Sequence, residues 1–124
     1  MRLFMLITGI YLTFIAAALA QPLDIKGRWI GKTMGCGDLN LKITSLSENG
    51  VIEGTIECTK TRQSAPFGDK LIAGKQMAGK FDGVRLAIEG AQSYTRVKLE
   101  GGKLVGYTSG GSGLPRTEVT FVKQ

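Results

Sequence analysis

Apolar and polar side chains alternate along most of the chain after residue 26. Residues 39–44 are Leu, Asn, Leu, Lys, Ile and Thr, which is the two-residue period of a strand with one buried face. The turn-forming segment Ser47–Gly50 separates this run from a second alternating run at 51–59. Pairing around that turn places Leu41 opposite Ile56, so the two apolar faces coincide. The pattern predicts a β-hairpin.

The same arrangement recurs downstream. Asp82-Gly83 and Gly101-Gly102 are two-residue turn sequences flanked by further alternating runs. Apolar residues with helical three-four spacing are not found after residue 20. The pattern predicts eight strands, near 27–33, 39–46, 51–59, 73–81, 84–89, 93–100, 103–109 and 116–123.

Most of the predicted connections are short hairpins, so strands that are neighbours in sequence are expected to be neighbours in the sheet. Eight antiparallel strands either close into a barrel or split into a sandwich. Closure removes the exposed strand edges. Glycines inside strands, at Gly54, Gly79 and Gly106, are typical of strongly bent small barrels. The prediction is an all-β protein, a single eight-stranded antiparallel up-and-down barrel, with the sandwich as the alternative.

The single tryptophan, Trp29, lies in the first predicted strand between Gly27 and Gly31. Both glycines share its face of the strand and leave space for the indole. Closure pairs the first strand with the last, which brings Lys123 beside Trp29, where its ammonium can lie over the ring. We predict a structural role for Trp29 and Lys123 at one end of the barrel.

The N-terminus has the pattern of a secretory signal peptide. Leu3–Ala20 follows Arg2, contains no charged residue and ends in small residues of the A-x-A type. We predict a cleaved signal peptide at 1–20, a barrel domain at 21–124 and a periplasmic or secreted protein without stable membrane insertion after cleavage. The alternative is a retained membrane anchor. Lipid anchoring is not supported, because the first cysteine is Cys36.

Two cysteines, Cys36 and Cys58, remain after cleavage. An even count in a small exported domain predicts a disulfide. The predicted hairpin supports the same pairing, because it returns Cys58 to within a few residues of Cys36. Zinc or redox chemistry would require a CxxC pair or a histidine, and the sequence contains neither.

Residues 21–124 keep 15 of the 16 Lys and Arg against 10 acidic residues, a formal net charge of +5. A basic surface can meet an acidic partner or serve solubility alone. The segment from Tyr94 to Tyr107 places Arg96, Lys98 and Lys103 on the polar face with both tyrosines. Because tyrosines on adjacent strands more often pack against each other, nucleic-acid binding is not favoured.

The sequence offers little for catalysis. It contains no histidine, which excludes a histidine-based triad. Glu53 and Glu57 lie four residues apart on a strand, about 13 Å, so they are expected to be solvated. The aspartates are dispersed, and the segment Gly68–Lys75 does not fit a phosphate-binding loop in glycine spacing. We predict a non-enzymatic protein without metal or cofactor.

The stretches "IKGRWIG", "NLKI" and "NGVIEGTIE", within residues 25–58, resemble the opening of the avidins and the Gly-x-Trp start of lipocalins. They are also similar to small periplasmic inhibitors of bacterial metalloproteases, which are eight-stranded barrels with one disulfide. The resemblance implies a calycin-type barrel. Biotin binding does not carry over, because Gly31 and Ile56 stand where avidins have asparagine and tyrosine.

The inhibitor resemblance further implies that an N-terminal segment enters a protease cleft, and 21–25 is the candidate. A frayed terminus is the alternative.

Two longer connections, 61–72 and 109–115, are the predicted recognition loops. Phe67 is either an exposed anchor or a lid folded over the barrel mouth. The expected function is a protein-binding module or hydrolase inhibitor acting through these loops. The alternative is a carrier of a small apolar ligand in the barrel mouth. The identity of the partner and the oligomeric state stay open. The candidate binding residues are Arg62, Phe67, Asp69, Leu114 and Arg116.

Overall fold

The computed structural model describes residues 24–110 and 116–124. The predicted signal peptide at 1–20 lies outside these residues. The described chain contains strands and turns but no helix. Its nine strands are β1 (Gly27–Thr33), β2 (Gly37–Leu46), β3 (Ile52–Cys58), β4 (Gln63–Gly68), β5 (Met77–Phe81), β6 (Arg85–Glu89), β7 (Tyr94–Glu100), β8 (Lys103–Ser109) and β9 (Thr117–Lys123).

The strands form a closed barrel in chain order, with β9 paired to β1. The prediction of an all-β barrel is confirmed. Two details are wrong: there are nine strands instead of eight, and β4 and β5 run parallel, although all other neighbours are antiparallel. The additional strand β4 lies within the predicted connection 61–72. Its proline, Pro66, removes a backbone donor, and the segment lacks a clear apolar alternation.

The predicted hairpin is formed by β2 and β3, with Leu41 opposite Ile56. The register shifts between Ile43 and Ser45, which is a β-bulge near the turn. A bulge increases the local twist and bends the strand, as a small closed barrel requires.

The inward side chains fill the barrel with one continuous core. It includes the three buried aromatic rings, Trp29, Phe67 and Phe121, and aliphatic residues from most strands. The fully buried large side chains are Trp29, Phe121, Ile25, Leu41, Ile43, Ile52, Leu86, Ile88 and Leu104.

Two interior glycines show how tightly the interior is packed. A Cβ atom added to Gly79 would lie 2.8 Å from side-chain atoms of Ile52 and Phe67. A Cβ added to Gly106 would lie 2.8 Å from the Cα of Val97 and would also contact the carbonyl oxygen of Arg96. These contacts are closer than van der Waals separation. The interior at Gly79 therefore has no room for a methyl group, and at Gly106 the backbone of β7 lies too close to β8 to allow one.

One end of the barrel is closed by the tryptophan, and we call it the tryptophan end. The indole Nε1 of buried Trp29 donates a hydrogen bond to the carbonyl oxygen of Ile25 at 2.9 Å. Lys123 is the register partner of Trp29, and its ammonium lies 5.8 Å from the ring centroid. The same ammonium donates to the carbonyl oxygen of Asp24. The structure therefore places both residues where the sequence predicted them.

The segment before β1 is attached to this end. Ile25 is buried in the core, and its carbonyl oxygen accepts the hydrogen bond of the Trp29 indole. In this conformation Ile25 is not free to enter a protease cleft, in contrast to the expectation for 21–25. Residues 21–23 lie outside the described chain.

The turn between β5 and β6 is organised by Asp82. Its carboxylate accepts hydrogen bonds from the backbone N–H of Arg85 at 2.7 Å and of Val84 at 2.9 Å. These hydrogen bonds lower the pKa of Asp82 below its usual value, and the one from Arg85 has the larger effect.

A lowered pKa in the folded state means that ionised Asp82 stabilises the fold. This contribution is present above the unfolded-state pKa of about 3.9 and is lost as the pH falls through the folded-state pKa. We expect Tm, followed by circular dichroism, to decrease less steeply below about pH 4 in Asp82→Asn than in the wild type. Asp69→Asn, which removes an exposed carboxylate outside this turn, should keep the wild-type slope. Equal slopes in all three proteins would contradict the assignment.

The glycine packing gives a second prediction. Gly106→Ala should lower the free energy of unfolding by about 2–4 kcal/mol, because the added methyl group meets backbone atoms of β7 that cannot move aside. Gly35→Ala is the matched control, since its Cβ would meet nothing within 4 Å. The control should change stability by less than about 0.5 kcal/mol in urea unfolding. A Gly106→Ala protein as stable as the control would contradict this prediction, because the backbone of β7 would then have moved to accommodate the methyl group.

Candidate functional site

The strand directions bring most of the predicted recognition segments to the end of the barrel opposite Trp29. The turns between β1 and β2, β3 and β4, and β6 and β7 lie there, and β8 and β9 meet there. We call it the disulfide end, because Cys36 and Cys58 are bonded at this end. Loops fixed on a rigid barrel are common recognition sites.

The predicted disulfide is formed, with the two Cα atoms 4.9 Å apart. It joins the turn after β1 to the end of β3. Thr59 strengthens the connection: its hydroxyl lies 2.7 Å from the carbonyl oxygen of Asp38, and its backbone N–H donates to the same oxygen at 3.0 Å. Lys60 N–H donates to the carbonyl oxygen of Cys36 at 2.9 Å. The two turns are thus held together.

Met34 lies in the turn held by this disulfide, and it is 93% exposed. The backbone N–H of Cys36 donates to the hydroxyl of Thr33 at 3.1 Å, which closes the turn around Met34. A large apolar side chain in water is notable when its backbone is fixed, because it is presented to a partner in a defined position.

A cleft of about 260 Å³ lies where the barrel wall is interrupted. β4 pairs with β3 along Gln63–Phe67, but with β5 only at Phe67 and Gly68. The first half of β4 therefore borders the cleft instead of another strand. The cleft is lined by Ser64, Ala65, Pro66, Leu71, Ile72, Gly74, Lys75, Gln76, Met77, Gly90, Ala91 and Ser93.

The outer side of the cleft is a small hairpin, Ile72–Gln76. The backbone N–H of Ile72 donates to the carbonyl oxygen of Gln76 at 2.8 Å, and the reverse bond measures 2.9 Å. Leu71 and Ile72 are 49% and 45% exposed. The hairpin places two further apolar side chains beside the cleft.

The predicted binding residues differ in their exposure to solvent. Phe67 is only 2% exposed, so its interpretation as an exposed anchor is wrong: its ring occupies space left by the interior glycines Gly54 and Gly79. Arg62 and Asp69 are exposed, the former with a left-handed φ of 57° in the β3–β4 turn. Arg116 is exposed and stacks on the ring of Tyr107 at 4.4 Å.

Leu114 lies outside the described residues, as does most of the connection 109–115. Of the described candidates, the structure brings Arg62 and Arg116 to the disulfide end, although on turns that β4 to β8 separate. Asp69 begins the connection to β5 next to the hairpin.

Sequence reasoning missed Met34, Leu71 and Ile72. Met34 follows β1 directly and is flanked by Thr33 and Gly35, a turn context in which an apolar residue is unexpected. Leu71 and Ile72 stand between Lys70 and Lys75 without alternation. Apolar residues placed in turn sequences were the available signal.

No protein-family model, curated protein or solved structure matches this chain. The resemblance to avidins, lipocalins and metalloprotease inhibitors therefore stays a prediction. Among the residues that the structure describes, there is no helix long and apolar enough to span a membrane.

Removal of the disulfide tests how firmly the end is held. The double variant Cys36→Ala/Cys58→Ala should lose about 3 kcal/mol of unfolding free energy, because the bond closes a chain segment with a sequence separation of 22. Urea unfolding of the oxidised wild type and the variant measures the difference. The reduced wild type is the control and should match the variant. A variant as stable as the oxidised protein would show that the hydrogen bonds of Thr59 are sufficient.

Proposed function

We propose that this protein is an exported, non-enzymatic binding protein that holds a protein partner at its disulfide end. The observation that carries the proposal is Met34, an almost fully exposed apolar side chain on a turn fixed by a disulfide. Interfaces are enriched in methionine, and a small number of well-placed side chains supplies most of the binding energy.

Other features of the structure support a protein partner. Leu71 and Ile72 expose apolar area beside the small hairpin, and the cleft next to β4 can receive a partner side chain. Because the β1–β2 turn is already ordered by the disulfide, little conformational entropy is lost when a partner binds it. A hydrolase is the class of partner that the resemblance to periplasmic protease inhibitors implies.

The packing of the barrel interior does not favour the alternative function of an apolar-ligand carrier. A lipocalin-like carrier needs an open lumen, whereas buried side chains such as Trp29, Phe67 and Phe121 occupy this interior. The cleft next to β4 measures about 260 Å³, and a larger open depression of about 610 Å³ lies on the outer face of β1 and β9; both lie on the wall of the barrel.

Met34→Asp is the variant that tests the proposal. Affinity capture from periplasmic or extracellular fluid of the source organism should recover a partner with the wild type, and the affinity should fall by at least about 30-fold with Met34→Asp. Leu46→Asp is the matched control: Leu46 is also exposed, but it lies at the tryptophan end. Thermal unfolding checks that both variants are folded.

A partner bound equally well by Met34→Asp would contradict the proposed site. A partner lost with both variants would show that the interaction is not specific to the disulfide end. Native mass spectrometry of the purified wild type completes the test, because a small molecule retained in stoichiometric amount would favour the carrier instead.

A further inference from the structure

The outer face of β5 to β8 carries a net positive charge, and we call it the cationic wall. With five cations and two carboxylates among its outward residues, it has a net charge of +3. The outward face of β3, in contrast, carries Glu53 and Glu57 without a cation. The charged residues of the wall are Lys80, Arg85, Arg96, Lys98, Lys103, Glu89 and Glu100.

Like charges oppose each other within this wall. Arg85 on β6 is the direct register partner of Lys98 on β7. Like charges directly opposite each other destabilise a sheet. The ion pairs of the described wall, Arg96 with Glu89 at 2.9 Å and Lys98 with Glu100 at 3.8 Å, do not include Arg85. Glu100 and the Asp82 carboxylate in the β5–β6 turn compensate Lys98 and Arg85 in part, and a phosphate above the two cations would relieve the repulsion that remains.

Exposed apolar side chains accompany the cations. Val84, next to Arg85 at the tip of the β5–β6 turn, is 49% exposed. Val105 lies directly opposite Lys98, and exposed Val122 lies directly opposite Lys103. A surface that mixes lysine and arginine with small apolar side chains matches the boundary between lipid headgroups and acyl chains.

We propose that the cationic wall binds peripherally to the surface of a bilayer containing anionic phospholipids. Neighbouring strands are about 4.8 Å apart, so the cations extend over about 15 Å, which is wider than a single phosphate. The outer wall of a closed barrel is convex, and it meets a plane of phosphates better than it encloses a single ion. The valines at its border then enter the headgroup layer. This site is separate from the protein-binding site at the disulfide end.

The test is cosedimentation of the processed protein with vesicles of phosphatidylglycerol and phosphatidylcholine. Binding is expected at low salt and should weaken at about 0.15 M salt, where the Debye length is about 8 Å. Vesicles of phosphatidylcholine alone should not bind. The triple variant Arg85→Gln/Lys98→Gln/Lys103→Gln should bind about 100-fold more weakly, since each cation contributes about fivefold.

The matched control is Arg28→Gln/Lys32→Gln/Lys42→Gln, which removes the same charge from β1 and β2 and should retain most of the binding. A similar loss in both triple variants would overturn the proposal, because net charge alone would then explain the binding. Absence of binding by the wild type at low salt would also overturn it. If the triple variant does not fold, the single variants Arg85→Gln and Lys98→Gln must each weaken binding about fivefold.

Two further measurements complete the test. Soluble polyphosphate bound as tightly as the vesicles would overturn the assignment of a lipid surface. Tm at low salt should rise or stay constant in Lys98→Gln, because the variant removes a like-charge contact and its exposed ion pair with Glu100 contributes little. A clear decrease would overturn the premise that like-charge repulsion acts at this position. No protein partner is present in these assays, so their outcome is independent of the proposed protein-binding function.

Discussion

The pairing of the first strand with the last is the contact on which the remaining structure depends. β1 and β9 are paired at Trp29 with Lys123 and at Ile30 with Val122, and the backbone N–H of Gln124 donates to the carbonyl oxygen of Arg28 at 2.9 Å. Closure leaves no outer strand at either end of the sheet and turns one face of every strand toward a common interior. The alternating sequence satisfies this condition, because most of its apolar positions fall on that interior face.

The period-two pattern was sufficient to predict the barrel and most of its strands, because hairpin pairing is local. β4 was missed for a physical reason: Gln63–Gly68 contains Pro66, and the strand pairs in parallel with β5 after an eight-residue connection, so no hairpin marks it in the sequence. The disulfide was predictable, because the hairpin register brings Cys36 and Cys58 together. The candidate site was predicted only in part. Phe67 is buried because Gly54 on β3 and Gly79 on β5 leave space for its ring, and Met34 is exposed because of the conformation of its turn. Neither feature can be deduced from the residues next to Phe67 or Met34 in the sequence.

The two proposed surfaces lie on different parts of the barrel. The disulfide end presents fixed apolar side chains, whereas the cationic wall presents charge along the strands. A protein lying with its wall on a membrane keeps the end of the barrel accessible from the side. The two interactions are therefore compatible in one molecule, and each uses residues that the other does not.

The parallel junction between β4 and β5 has a consequence for dynamics. Its ladder contains two register pairs, against seven between β7 and β8. Local opening of a folded protein begins where few hydrogen bonds must break. Amide hydrogens of β4 that face the cleft should thus exchange with solvent earlier than those of β7 and β8. The β4–β5 junction is therefore a place where the barrel can open locally, and it lies beside the cleft that a partner would occupy.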